Sequence, residues 1–261
     1  MISFAAITPH PPIIVPHIGD DASRDEVKNT VKALEKLRRD LIEAEVETLF
    51  LISPHGPTSH DVFLINNNSK LAGNFDQFGF ALDLVFRNDL SLVNQIQKNS
   101  QKSEFKVSFH QSELDYGALV PLYFLARDLK YEIVSASFSL LAYKKHFEYG
   151  KFLGSLFESY AKKIGVVASG DLSHRLTLDA PAGYSVKGSE FDETLIEYLK
   201  TQDIDSILNM SDNLIREAGE CGFRSILILL GILESQKLEY KFDLLSYEGP
   251  FGVGYLVAKL I

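Results

Sequence analysis

The chain has 261 residues, 46% of them hydrophobic, with a formal net charge of −9. That length can bury a full core, and the acidic balance speaks against a nucleic-acid footprint. One cysteine excludes an internal disulfide, and no uninterrupted apolar run approaches the ~20 residues of a transmembrane helix.

Ile2 to Ile7 reads as a short interior strand, apolar on both sides, that ends in Thr8-Pro9-His10-Pro11-Pro12. No basic segment precedes this run and the prolines cut it short, so no signal peptide is expected and the cytoplasm is the default location. Residues 8 to 23 are irregular. Ser23, with Glu26 three residues on, has the capping-box arrangement and is expected to start a helix with Val27, Val31, Leu34, Leu37 and Leu41 on its buried face. Thr48 to Ser53 is the next strand, and it stops at Pro54 to deliver His55 and Gly56. This β-α-β order predicts a parallel pair with a right-handed crossover.

Residues 54 to 87 predict an excursion with a strand near its end. Asp89 predicts a cap for a short helix through Leu92, Val93 and Ile96, and Lys106 to Phe109 a strand. A helix follows on Leu119, Leu122, Leu125, Ala126 and Leu129, with Pro121 tolerable in its first turn. Then come a strand at Tyr131 to Phe138 and a helix over 143–162. The strand Ile164 to Ser169 runs into Gly170-Asp171-Leu172-Ser173-His174. Residues 175–189 predict a loop over the site. Helices follow around Phe191 to Leu199 and Asp203 to Leu208. A glycine-marked turn then enters a buried helix from about Cys221 to Leu233. Two closing strands, Tyr240 to Leu245 and Gly254 to Leu260, predict a hairpin at one end of the sheet. No linker divides the chain. The fold class is therefore α/β: one three-layer domain over residues 1–261, its central mixed, mostly parallel sheet flanked by helices.

Three strand ends thus carry a histidine: His10, His55 and His174. In open α/β sheets ligands bind at the carboxyl ends of the strands. Imidazoles spaced this widely do not match a structural zinc knuckle, and they suit an open metal site held by rigid strands. Each could also simply hydrogen-bond a loop. Asp171 could orient His174 or cap its own turn. A third ligand could come from Glu220 or Cys221 at the helix entrance, with Glu217 and Glu248 as weaker candidates. Arg224 could bind an anionic group or pair with Glu220. Among the other histidines, His146 is expected to be exposed, and His60 to line the same cleft as His55. There is no G-x-G-x-x-G, no Walker loop, no G-x-S-x-G and no H-E-x-x-H.

Six segments in order, TPHPP at 8–12, SPHG at 53–56, LDYGALVPL at 114–122, SGDLSH at 169–174, EAGECG at 217–222 and YEGPFGVGYLVA at 247–258, together resemble the class III extradiol ring-cleavage dioxygenases. The resemblance to this LigB-like superfamily runs over nearly the whole chain. It is nearest to the branch that holds the Memo-like and AmmeMemoRadiSam-associated proteins. It implies a nonhaem Fe(II), or zinc or copper, held by His10 and His55 with Cys221 or Glu220 as third ligand. It further implies His174 as acid/base or extra ligand with Asp171 beside it, and a small aromatic substrate with O2 as partners; a homo-oligomer stays open. Ring-cleaving members commonly show Asp-His-Gly where this chain has Asp115-Tyr116-Gly117. A tyrosine hydroxyl donates a hydrogen bond but is a poor base at neutral pH. The implied activity is extradiol cleavage of a catechol. The alternatives are a Memo-like metal protein with a redox or scaffold role, and a zinc-dependent hydrolase.

Overall fold

Alternation along the strands decides the centre of the molecule. In Thr48–Ser53 every residue is buried, and neighbours divide between two cores: Phe50 and Ile52 enter one, Leu49 and Leu51 the other. Ala5 and Ile7 divide from Phe4 and Ala6 in the same way, and Val166 and Ala168 from Val167. Strands apolar on both sides must lie inside a sheet covered on both faces. The computed structural model describes residues 1–261 and shows this arrangement: a single α/β domain with helices on both faces of a mixed sheet.

The strands are β1 (Ile2–Thr8), β2 (Thr48–Ser53), β3 (Phe63–Asn66), β4 (Lys70–Phe75), β5 (Phe80–Asn88), β6 (Val107–His110), β7 (Glu132–Ser137), β8 (Ile164–Ser169), β9 (Asp243–Glu248) and β10 (Tyr255–Lys259). The helices are α1 (Asp21–Glu26), α2 (Lys28–Glu43), α3 (Leu90–Ser100), α4 (Tyr116–Leu125), α5 (Tyr143–Glu158), α6 (Val186–Thr201), α7 (Ile204–Leu208), α8 (Asp212–Ala218) and α9 (Phe223–Ser235). The sheet order is β4-β5-β7-β2-β8-β1-β10-β9, with β3 between β6 and β7 on a side branch. From β5 to β1 the neighbours run parallel, and β9-β10 form the expected antiparallel hairpin at one end. Helices α2 and α4 cover one face, and α3, α5, α6 and α9 the other. No helix is long and apolar enough to cross a membrane.

Several expectations change. β1 and β2 are parallel but are not neighbours, because β8 is inserted between them. The first helix starts earlier than Ser23: Asp20 accepts from Ser23 N at 2.8 Å and caps α1, and the chain breaks at Val27 before α2. Residues 54–88 hold three strands, two of them the hairpin β4-β5. Pro121 sits inside α4, well beyond its first turn. The penultimate strand begins at Asp243, three residues later than expected. His146 is fully buried, not exposed; its ring reaches the carbonyls of Ser139 and Ala142 at 2.9 and 3.1 Å.

Candidate metal centre

The insertion of β8 between β1 and β2 gives the site its position. Three adjacent parallel strands end side by side, and each delivers potential ligands: β1 gives His10, β8 gives Asp171 and His174, and β2 gives His55. His10 is buried. Its backbone N–H donates to Asp171 Oδ1 at 2.9 Å, which ties the β1 exit to the β8 exit. Its Nε2 faces His55 Nε2 at 2.9 Å, with the two rings edge to face. His55 stands at the solvent-facing rim, stacked on Tyr116 with centroids 4.5 Å apart. Its loop is held by Ser53, whose hydroxyl donates to Asp115 Oδ1 at 2.5 Å; the same carboxylate caps α4.

Cys221 arrives from the far side of the sequence. A Cβ on Gly170 would lie 2.0 Å from Gly222 Cα, so only two glycines let the β8 exit and the α9 entrance touch backbone to backbone. Cys221 N and Gly222 N both donate to Asp171 O, at 3.3 and 3.0 Å. The Cys221 sulfur accepts from Asp171 N at 3.3 Å and lies 3.6 Å from His10 Nε2. His10, His55 and Cys221 therefore offer three ligand atoms within 4.8 Å of one another, and Asp171, His174 and Cys221 form a second such group beside them.

Glu220 points elsewhere. Its carboxylate turns back to accept from Phe223 N at 2.6 Å and caps α9. Glu217 pairs with Arg175, and Glu248 accepts from Asn29 and from both Thr30 donors at the other face of α2. Arg224 lies over the Tyr143 ring at 4.4 Å, away from the cluster. His60 is exposed and belongs to neither ligand group. The largest cleft, about 550 Å³, opens at the opposite, amino end of β2 and β7, beside Glu47, Glu132 and Lys162, and holds no histidine or cysteine. Donor geometry, not cavity size, locates the chemistry.

The electrostatics suit a cation. Burial, helped by His174, lowers the His10 pKa to about 3, and burial with His10 nearby lowers that of His55 to about 4. Both imidazoles are thus neutral ligands at pH 7. Burial raises Asp171 to about 6 against the pull of the His10 N–H and His174, so it is mostly ionised there. The approach of Asp171 Oδ2 to His10 Nε2, 3.8 Å, is consequently no ion pair at neutral pH. Burial, Asp171 and Glu220 push the Cys221 thiol up, and a bound cation would reverse that by taking the thiolate. Tyr116 is pushed up to about 12 by burial and by Cys221 and Asp171, so its hydroxyl keeps its proton at neutral pH and can donate it in a hydrogen bond. His174 keeps a buried Nδ1 with no partner, and its Nε2 lies 4.0 Å from Asp171 Oδ2.

Two neutral imidazoles, a thiol and a carboxylate form a donor set that fits iron, zinc or copper. This is a candidate His/His/Cys/Asp metal site. Ser169 and Ser53, the hydroxyls behind the two histidines, are not among the residues the sequence singles out. Their one signal was position, as the last residue of a strand that ends in a candidate ligand.

The chain is similar to known proteins in sequence and in fold. The protein CA_C1420 of Clostridium acetobutylicum is 32% identical over 274 aligned residues, which cover 97% of this chain and 56% of that protein. The chain thus spans little more than half the length of the curated relative it matches. The crystal structure of the uncharacterized protein JW3007 from Escherichia coli K12 shares the fold, with a TM-score of 0.66 over 99% of each chain at 16% identity. The family model for the catalytic LigB subunit of aromatic ring-opening dioxygenase matches residues 4–258, and the chain belongs to the LigB family.

Proposed function

We propose that this chain is a metal-dependent oxidoreductase that uses O2 to open the ring of a small catechol-type substrate, with its metal held by His10, His55 and Cys221. The convergence of those three ligand atoms at the ends of adjacent strands carries the reading, and the LigB family match supports it. When bound, Fe(II) would exchange electrons with O2 and a chelating diol, chemistry that side chains alone do not supply. The protein's own part is geometry and protons. His174 is partly exposed, and its Nε2 lies on the side of the ligand group, so that nitrogen can take a proton from a substrate hydroxyl and return it later. Asp171, 4.0 Å from that nitrogen, stabilises the charged imidazole that results. Tyr116 holds its proton at neutral pH, so its hydroxyl could donate a hydrogen bond to a substrate oxygen.

A second reading is favoured by two observations. Cys221, not Glu220, reaches the ligand cluster, and the family resemblance puts Tyr116 where ring-cleaving members commonly show histidine. Both fit a Memo-like redox or scaffold protein that holds zinc or copper without ring cleavage. Anaerobic reconstitution with Fe(II), followed by a panel of catechols under O2, separates the two. Yellow ring-opened product supports the first. A protein that holds its metal but turns over no diol supports the second.

A further inference from the structure

Pro121 lies in the interior of α4. A proline has no N–H, so the carbonyl four residues back, that of Gly117, loses its helical donor. Buried carbonyls are almost always paired. Here the donor comes from another element: Ser169 Oγ, at the end of β8, donates to Gly117 O at 2.5 Å. A serine hydroxyl has one proton, and a carbonyl can only accept. That proton is therefore committed. The same Ser169 oxygen lies 2.9 Å from His10 Nδ1, so it must accept there and Nδ1 must carry the ring proton. Nε2 is left with its lone pair, and Nε2 is the atom that faces His55 and Cys221.

We propose that Ser169 is a positioning residue that locks His10 in the Nδ1-protonated tautomer, and that Pro121 makes the lock possible by leaving the Gly117 carbonyl for the serine. The two hydrogen bonds run in one direction only: His10 donates to Ser169, and Ser169 donates to Gly117. His10 and Ser169 are both buried, so neither hydrogen bond faces bulk solvent. Without the lock a neutral imidazole can carry its proton on Nε2, which blocks the ligand position. The consequence for metal binding rests on the reading of His10 as a ligand; the tautomer itself does not.

Two-bond 1H–15N correlation spectra of 15N-histidine-labelled, metal-free protein read the tautomer directly, with His10 assigned by its loss in His10→Ala. In the wild type, His10 is expected as a single species, protonated on Nδ1 and bare on Nε2. Ser169→Ala is expected to populate the Nε2-protonated form and to weaken Zn(II) binding about 10- to 100-fold, the usual range for a partner behind a ligand. Ser169→Thr keeps the hydroxyl and is expected to restore the wild-type tautomer. A wild-type His10 protonated on Nε2 overturns the proposal whatever the variants do, as does a folded Ser169→Ala with unchanged tautomer. If Ser169→Ala changes the tautomer while both it and His10→Ala keep full Zn(II) affinity, the relay stands and the ligand reading fails.

Discussion

Glu220→Gln separates two adjacent side chains that both stood as candidates for the third ligand. The Glu220 carboxylate accepts from Phe223 N at 2.6 Å, and the glutamine amide oxygen can do the same, so the α9 cap survives. What the variant loses is the ionised form. Burial raises this carboxyl from 4.5 to about 7, against the pull of the Phe223 N–H and Arg224. Moving the pKa from 4.5 to about 7 is worth up to about 3 kcal/mol. Because the folded pKa lies above the unfolded one, that stability is fully present below 4.5 and is lost as pH rises through about 7. The variant lacks this slope. It should match the wild type near pH 4 and exceed it by up to about 3 kcal/mol near pH 8, with water at the half-buried side chain trimming the gain. Urea denaturation of the metal-free proteins at both pH values measures this, and chelator competition measures Zn(II) affinity, which should not change. Parallel stability curves would show that the carboxyl is not desolvated. A loss of affinity beyond the 10- to 100-fold of an indirect partner would show that Glu220 is a ligand after all.

His174→Ala should abolish most turnover while changing stability by no more than about 1 kcal/mol, read from thermal melts of the metal-free form, since the ring is partly exposed and has an unpartnered nitrogen. Gly170→Ala places a Cβ 2.0 Å from Gly222 Cα, so it should cost about 1–3 kcal/mol and weaken metal binding by displacing Cys221; denaturant midpoints and Zn(II) titration test both. His146 is held neutral by burial, with its pKa lowered to about 4, so the fold should lose up to about 3 kcal/mol as pH falls from 6.5 to 4 on its account. His146→Gln should flatten that part of the acid-stability curve.

The strands that build the centre were legible because their cause is local. TLFLIS and IGVVAS are apolar at every position, and each ends at a proline or glycine. The closing hairpin was legible for a similar reason, with SYEGPFG between two apolar runs. What sequence order could not reveal was the insertion of β8 between β1 and β2, because strand order depends on packing between segments more than a hundred residues apart. That insertion is also what brings Asp171 and His174 to the same end of the sheet as His10 and His55. Pro121 misled for a physical reason: the rule against interior proline assumes an orphaned carbonyl, and Ser169 supplies the missing donor from another strand. His146 misled because α5 is covered on that face by Phe63 of β3 and by Phe138 just past the end of β7, which a helical pattern alone does not reveal. Glu220 and Cys221 could not be told apart by spacing; the Gly170–Gly222 contact turns the thiol towards His10 and leaves the carboxylate to cap α9.

The most direct test of the site is Co(II) reconstitution of the wild type, Cys221→Ala and His55→Ala, followed by absorption spectroscopy. If His10, His55 and Cys221 hold the metal, the wild type shows a sulfur-to-cobalt charge-transfer band. That band vanishes in Cys221→Ala, and cobalt affinity drops in both variants. A wild-type spectrum with no sulfur band, or undiminished cobalt binding in both variants, would contradict the assignment of the centre.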